Sequence, residues 1–150
     1  MKDVVALGEL LIDFAPVSTD EAGYPTLKAQ PGGAPGNFLA ALQKYGCTTA
    51  LIGKVGDDTF GHLLKGTLDK IGIDTAGLVT DPAVFTTLAF VTLDATGNRS
   101  FSFARKPGAD TCLRTEEVNT ALLDEGKVFH FGTLSLTSEP ARSATQAAVA

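Results

Sequence analysis

Gly32-Gly33-Ala34-Pro35-Gly36-Asn37 decides how this chain reads, because it joins an extended segment to a helix with apolar periodicity. Two adjacent glycines let a ligand approach bare backbone, Pro35 stiffens the turn, and Asn37 brings an amide donor and acceptor to the mouth of the helix. That combination suits a neutral polyol. No Gly-Lys-Ser/Thr follows, so the run is not a P-loop, and its glycine spacing departs from the dinucleotide fingerprint. On pattern alone, a tight strand-to-helix connection is an equal reading.

Upstream, Val4-Val5-Ala6-Leu7 followed by Leu10-Leu11-Ile12 reads as one nearly continuous apolar strand, the pattern of a strand covered on both faces, with Asp13 at its C-terminal end. Residues 14–30 are polar and turn-rich, with a bend at Gly23 and Pro25, and are expected outside the main sheet as short lid strands. Downstream, Phe38, Leu42 and Tyr45 predict one buried helix face closed by Gly46. A strand over Thr48–Val55 follows. Phe60, Leu63, Leu64, Leu68 and Ile71 mark a second helix, with Asp57, Asp58 and Thr59 to cap its start and Gly72 its end. This alternation predicts an α/β layer structure.

The period then changes from 3.6 to 2. Thr86–Asp94 and Asn98–Arg105 predict a hairpin turning at residues 94–98, with Phe101, Phe103 and Arg105 on one face. It reads equally as a pocket cover, a subunit contact or ordinary core strands. Beyond Lys106–Thr111, a helix from near Thr115, a strand over Lys127–Phe131, a polar loop over Thr133–Thr137 and a helix opened by Ser138-Glu139-Pro140 are expected. The last carries a small-residue stripe at Ala141, Ala144, Thr145 and Ala148.

A chain of 150 residues with 44% hydrophobic content can bury one sizeable core, and a net charge of −5 argues against nucleic acid or an anionic membrane as main partner. No apolar run approaches the roughly 18 to 20 residues needed to cross a bilayer, and Val4–Phe14 lacks the flanks of a secretion signal, so a cytoplasmic address is expected. Cys47 and Cys112 are too few and too separated for a disulfide framework or metal cluster and read as small core residues. His130, between Phe129 and Phe131, reads as structural, and His62 as exposed.

These residues resemble the ribokinase-like or PfkB carbohydrate kinases. The resemblance rests on Gly32-Gly33, Pro35, Asn37, Gly46 and Gly56 at the family's intervals, with Leu39 where a small residue is usual. It extends over Gly8–Phe14, Gly53–Asp58 with Phe60-Gly61, Arg99–Phe103, Pro107–Asp110 and Phe129–Leu136. It implies a three-layer α/β sandwich with a small β lid, the lid strands lying near 14–30 and 86–105. The wording is most similar to bacterial fructokinases, which transfer the γ-phosphate of ATP to the 6-hydroxyl of fructose.

By that resemblance Asp13, Gly32, Gly33 and Asn37 hold sugar hydroxyls, while Phe90, Phe103 and Arg105 close over the sugar from the lid. An arginine like Arg105 faces the substrate carboxylate in 2-keto-3-deoxygluconate kinases, which keeps that activity as the alternative. A non-catalytic sugar-binding fragment is a further one. The family's Gly-Ala-Gly-Asp run, which supplies the general base, is not found within residues 1–150. The resemblance therefore implies that residues 1–150 are the N-terminal part of a kinase domain of roughly 300 residues. ATP, Mg²⁺ and a monovalent cation such as K⁺ would be held mainly by the other half, the isolated piece would be inactive, and a homodimer would form through the lid.

Overall fold

The computed structural model describes residues 1–93 and 96–150. Among the described residues, eight strands build two four-stranded sheets. The main sheet is parallel, in the order β5 (Asp74–Asp81), β4 (Thr49–Gly56), β1 (Lys2–Leu7), β8 (Gly126–Phe131). The lid sheet runs β3 (Pro25–Gly32), β2 (Leu11–Thr19), β6 (Leu88–Leu93), β7 (Arg99–Ala104). Its two outer pairs are antiparallel hairpins and its central β2–β6 pair is parallel. This is the expected α/β sandwich with a β lid.

The apolar run at the N-terminus is covered on both faces because successive side chains point to opposite sides of a strand. Val4 and Ala6 join Leu51 and Val55 in a core beneath α1 (Ala34–Lys44) and α2 (Thr59–Ile71), packed by Leu39, Leu64 and Leu68. Val5 and Leu7 join Ala50 and Ile52 on the other face. There they meet Leu122 of α3 (Thr120–Asp124) and Ala141 and Ala144 of α4 (Ala141–Val149). Each fully buried Leu or Ile in these layers contributes about 1.5–3 kcal/mol. Of the small-residue stripe of α4, Ala141, Ala144 and Thr145 are buried and Ala148 is partly buried.

The expected single strand over residues 4–12 is two strands in different sheets. The chain leaves the main sheet at Gly8 and enters the lid at Leu11, so Asp13 is the third residue of a lid strand rather than the end of a core strand. The lid correspondingly begins before residue 14. The buried face of α1 also differs from the periodic one: Pro35, Gly36 and Leu39 are buried, while Tyr45 is 85% exposed. Small residues let this helix approach closely, since a Cβ on Gly36 would lie 3.1 Å from Leu10 Cδ1. Phe38 instead lies against His130, with ring centroids 4.5 Å apart.

The α2 helix follows expectation at its ends, where Asp58 Oδ1 accepts from the N–H groups of Phe60 and Gly61 and Gly72 takes the left-handed conformation. Its face is narrower than the stripe, for Leu63 and Ile71 stay exposed. The edge strand β5 has no counterpart in the sequence pattern. The helix expected from Thr115 is a 3₁₀ turn over Thr115–Glu117 followed by α3, and the loop expected at Thr133–Thr137 contains a 3₁₀ turn. The β6–β7 hairpin forms, but Asp94 and Ala95 of its expected turn lie outside the described residues. Cys47 and Cys112 are free and only partly buried, so neither is a full core residue.

Lys54, on β4, ties three elements together. Its ammonium lies 2.9 Å from Asp81 and 2.8 Å from Glu117 and donates to the Cys112 carbonyl. Burial alone would pull its pKa down, but the two carboxylates outweigh this and hold it above the usual lysine value.

Candidate functional site

The site is assembled where β1 and β8 end, at their carboxyl edge. The chain turns away at Gly8, and Gly132 N–H donates to the Leu7 carbonyl at 2.9 Å, bringing the two strand ends together. Pro35 fits between them: a Cβ on Gly8 would lie 2.6 Å from Pro35 Cγ, and one on Gly132 would lie 2.9 Å from the same atom. Gly33 has φ 110, and a Cβ there would strike the Glu9 carbonyl at 2.5 Å. Only glycine meets both demands.

Glu9 holds this turn from below. Its side chain is buried, and Oε1 accepts from the Ala34 N–H at 2.9 Å, satisfying the start of α1 as a distant cap. Oε2 is buried with no hydrogen-bond partner among the described residues and faces the space that a Gly132 side chain would occupy. Nothing in the sequence pattern singles out Glu9, since an acid following a glycine carries no periodic signal.

Asp13, Gly32 and Asn37 converge. A Cβ on Gly32 would come within 2.2 Å of Asp13 Oδ2, so the carboxylate lies directly over bare backbone. Asp13 is half-buried, and the loss of hydration raises its pKa above the usual aspartate value. Its carboxylate and the exposed Asn37 on the first turn of α1 line one open cleft of about 510 Å³, together with Gln30, Val91, Arg99 and Phe101. A carboxylate that accepts and an amide that both donates and accepts can together match a vicinal diol.

The lid residues divide. Ala89 pairs with both Asp13 and Phe103, which puts Phe103 on the Asp13 face of the lid, beside Phe101 at a ring separation of 6.1 Å. Phe90 pairs with Phe14 and stacks on it at 5.2 Å, on the opposite face, and so is not brought together with the others. Arg105 lies at the root of β7, its Nε and Nη2 donating to Asp110 Oδ2 at 2.9 and 2.7 Å.

Among the described residues no three His, Cys, Asp or Glu stand together in a way that could hold a metal ion. Asp57 and Asp58 are accounted for otherwise: Asp57 pairs with the exposed His62 at 2.8 Å, and Asp58 caps α2.

The model of the pfkB family carbohydrate kinases matches residues 1–150. The chain belongs to the pfkB family. This pfkB chain is 48% identical over 145 residues to a probable fructokinase-3 from Arabidopsis thaliana, covering 94% of this chain and 41% of that protein. Its fold matches a fructokinase structure from Xylella fastidiosa with a TM-score of 0.88 at 33% identity, covering 99% of this chain and 48% of that one. A putative ribokinase II from E. coli in complex with ATP and Mg²⁺ matches with a TM-score of 0.88 at 29% identity, over 99% and 48% of the two chains. The pfkB chain thus spans less than half the length of these relatives.

Proposed function

We propose that the chain is the sugar-binding half of an ATP-dependent fructokinase that phosphorylates the 6-hydroxyl of D-fructose. Asp13, lying over the Gly32 backbone, and Asn37 line one cleft walled by lid residues, and this carries the reading. Asp13 accepts hydroxyl hydrogen bonds, Asn37 donates and accepts, and the bare backbone of Gly32 and Gly33 lets the ring approach. Phe103 and the lid face around it shield the sugar from water, which strengthens every polar contact inside. The names of the relatives support fructose as the sugar.

Phosphoryl transfer needs a base and charge stabilisation on the moving phosphate. These belong to the remaining half in this proposal, as do the sites for ATP, Mg²⁺ and any K⁺. The half-exposed Val128 on the edge strand β8 supports continuation of the main sheet on that side. Val17, Leu27, Leu93 and Phe101, exposed on the lid, support a homodimer formed there, and a cytoplasmic address belongs to the same proposal.

The test is an assay of the full-length protein with ATP and Mg²⁺ against fructose, ribose and 2-keto-3-deoxygluconate, beside the 150-residue piece alone. Fructose turnover by the full-length protein and none by the piece is expected. A preference for ribose or the sugar acid, or activity of the piece, contradicts the proposal.

A further inference from the structure

Asp110 is buried at the root of the lid, where it holds Arg105. Its side chain is only 2% exposed. Oδ2 accepts from both Nε and Nη2 of Arg105, while Oδ1 accepts from the hydroxyl of the fully buried Thr87. Gly108 makes the space for this cluster: a Cβ there would collide with Thr87 Oγ1 and lie 3.0 Å from Arg105 Cγ. Arg105 in turn walls a hollow of about 200 Å³ with Phe103 and Leu134, and Phe103 lies 6.1 Å, ring to ring, from Phe101, which lines the Asp13 cleft.

We propose that Asp110 is a positioning residue that sets the charge preference of the sugar site: by compensating Arg105, it makes the cleft select a neutral sugar over one bearing a carboxylate. The inference rests on the sugar-kinase reading and deepens it. Arginine grips a carboxylate best through two parallel N–H bonds, and the Nε–Nη2 edge is already taken. An incoming carboxylate would meet the charge of Asp110 behind the guanidinium and that of Asp13 on the same lid face. A neutral hydroxyl meets no such repulsion and can still accept from Nη1, which bonds no protein atom among the described residues. Lys106, also on this wall, is exposed, so water screens its charge.

The experiment uses the full-length protein, with kcat and KM measured for D-fructose and for 2-keto-3-deoxygluconate. The wild type is expected to prefer fructose by about a hundredfold or more in kcat/KM. Asp110→Asn uncovers the arginine charge and should shrink that preference about tenfold, mainly by lowering KM for the acid. Adding Arg105→Gln to Asp110→Asn should restore the discrimination, because the gain travels through the guanidinium. Equal loss on both sugars in Asp110→Asn, with no change in their ratio, overturns the proposal, since a purely structural aspartate behaves that way.

Should Asp110→Asn fail to fold, the wild-type protein decides. Its melting temperature should rise with fructose and not with the sugar acid, and an equal rise with the acid overturns the proposal. A full-length protein that phosphorylates neither sugar refutes the kinase reading, while the melting shifts still report the charge preference.

Discussion

Replacing Gly32 by alanine tests the sugar grip without dismantling the fold. The new Cβ would stand 2.2 Å from Asp13 Oδ2 and 2.7 Å from its Cγ, well inside contact distance. What must yield is the end of a flexible side chain in an open cleft, so the carboxylate swings aside at a stability cost of about 1 kcal/mol. The sugar then loses its charged acceptor. A hydrogen bond to a charged group is worth about 1.5–3 kcal/mol, which translates to a 10- to 150-fold loss in kcat/KM for fructose. Gly33→Ala supplies the contrast. There the Cβ meets the Glu9 backbone carbonyl at 2.5 Å with φ at 110, where neither partner can rotate away. The conformation costs about 1–3 kcal/mol and the overlap a similar amount, so this variant should lose stability first. Steady-state kinetics and thermal melts of both full-length variants read the difference. A Gly32→Ala enzyme with native KM and kcat for fructose would refute the placement of Asp13 over the glycine backbone as a functional contact.

Asp58→Ala should lower stability by about 1–3 kcal/mol at neutral pH, because it uncaps α2 and frees the Thr86 N–H that Asp58 Oδ2 accepts at 2.8 Å. Burial pushes the Asp58 pKa up, but the N–H bonds from Thr86, Gly61 and Phe60 outweigh it and hold it below the usual value. Its stabilisation is therefore present above the unfolded aspartate pKa and lost as pH falls through the lower folded one. The melting difference between wild type and variant should vanish in that acid range, and a constant difference would count against the cap. Fructose affinity should rise with pH through a midpoint above the usual aspartate value, since burial raises Asp13 and protonation removes its acceptor. Calorimetric titration across mildly acid pH checks this, and Asp13→Asn should abolish the dependence.

Where hydrophobic period and turn chemistry agree, the architecture is legible in the sequence. Asp58, Gly46 and Gly72 mark helix ends that the structure keeps, and three of the four small residues of the α4 stripe are buried. Periodicity misled where packing rests on small residues. Pro35 and Gly36 bury the face of α1 that Phe38 and Tyr45 seemed to claim, because close approach favours the absence of side chain. The break at Gly8 is invisible to an apolar count, since Val5-Ala6-Leu7 before it and Leu10-Leu11-Ile12 after it are all buried. At the site, Asp13, Gly32 and Asn37 were legible as residue types that suit a diol, whereas Phe90 is placed by strand register, which spacing alone does not reveal. The roles of Glu9 and Asp110 are not legible from the chain, because each works through a partner distant in sequence, Ala34 for one and Thr87 for the other.

The central claim is that Asp13 and Asn37 grip adjacent hydroxyls of fructose over the Gly32-Gly33 backbone. A crystal structure of the full-length protein with bound fructose tests it most directly. The geometry predicts sugar hydroxyls within about 3.2 Å of both the Asp13 carboxylate and the Asn37 amide. A sugar seated elsewhere, with neither side chain in hydrogen-bond reach, would contradict it.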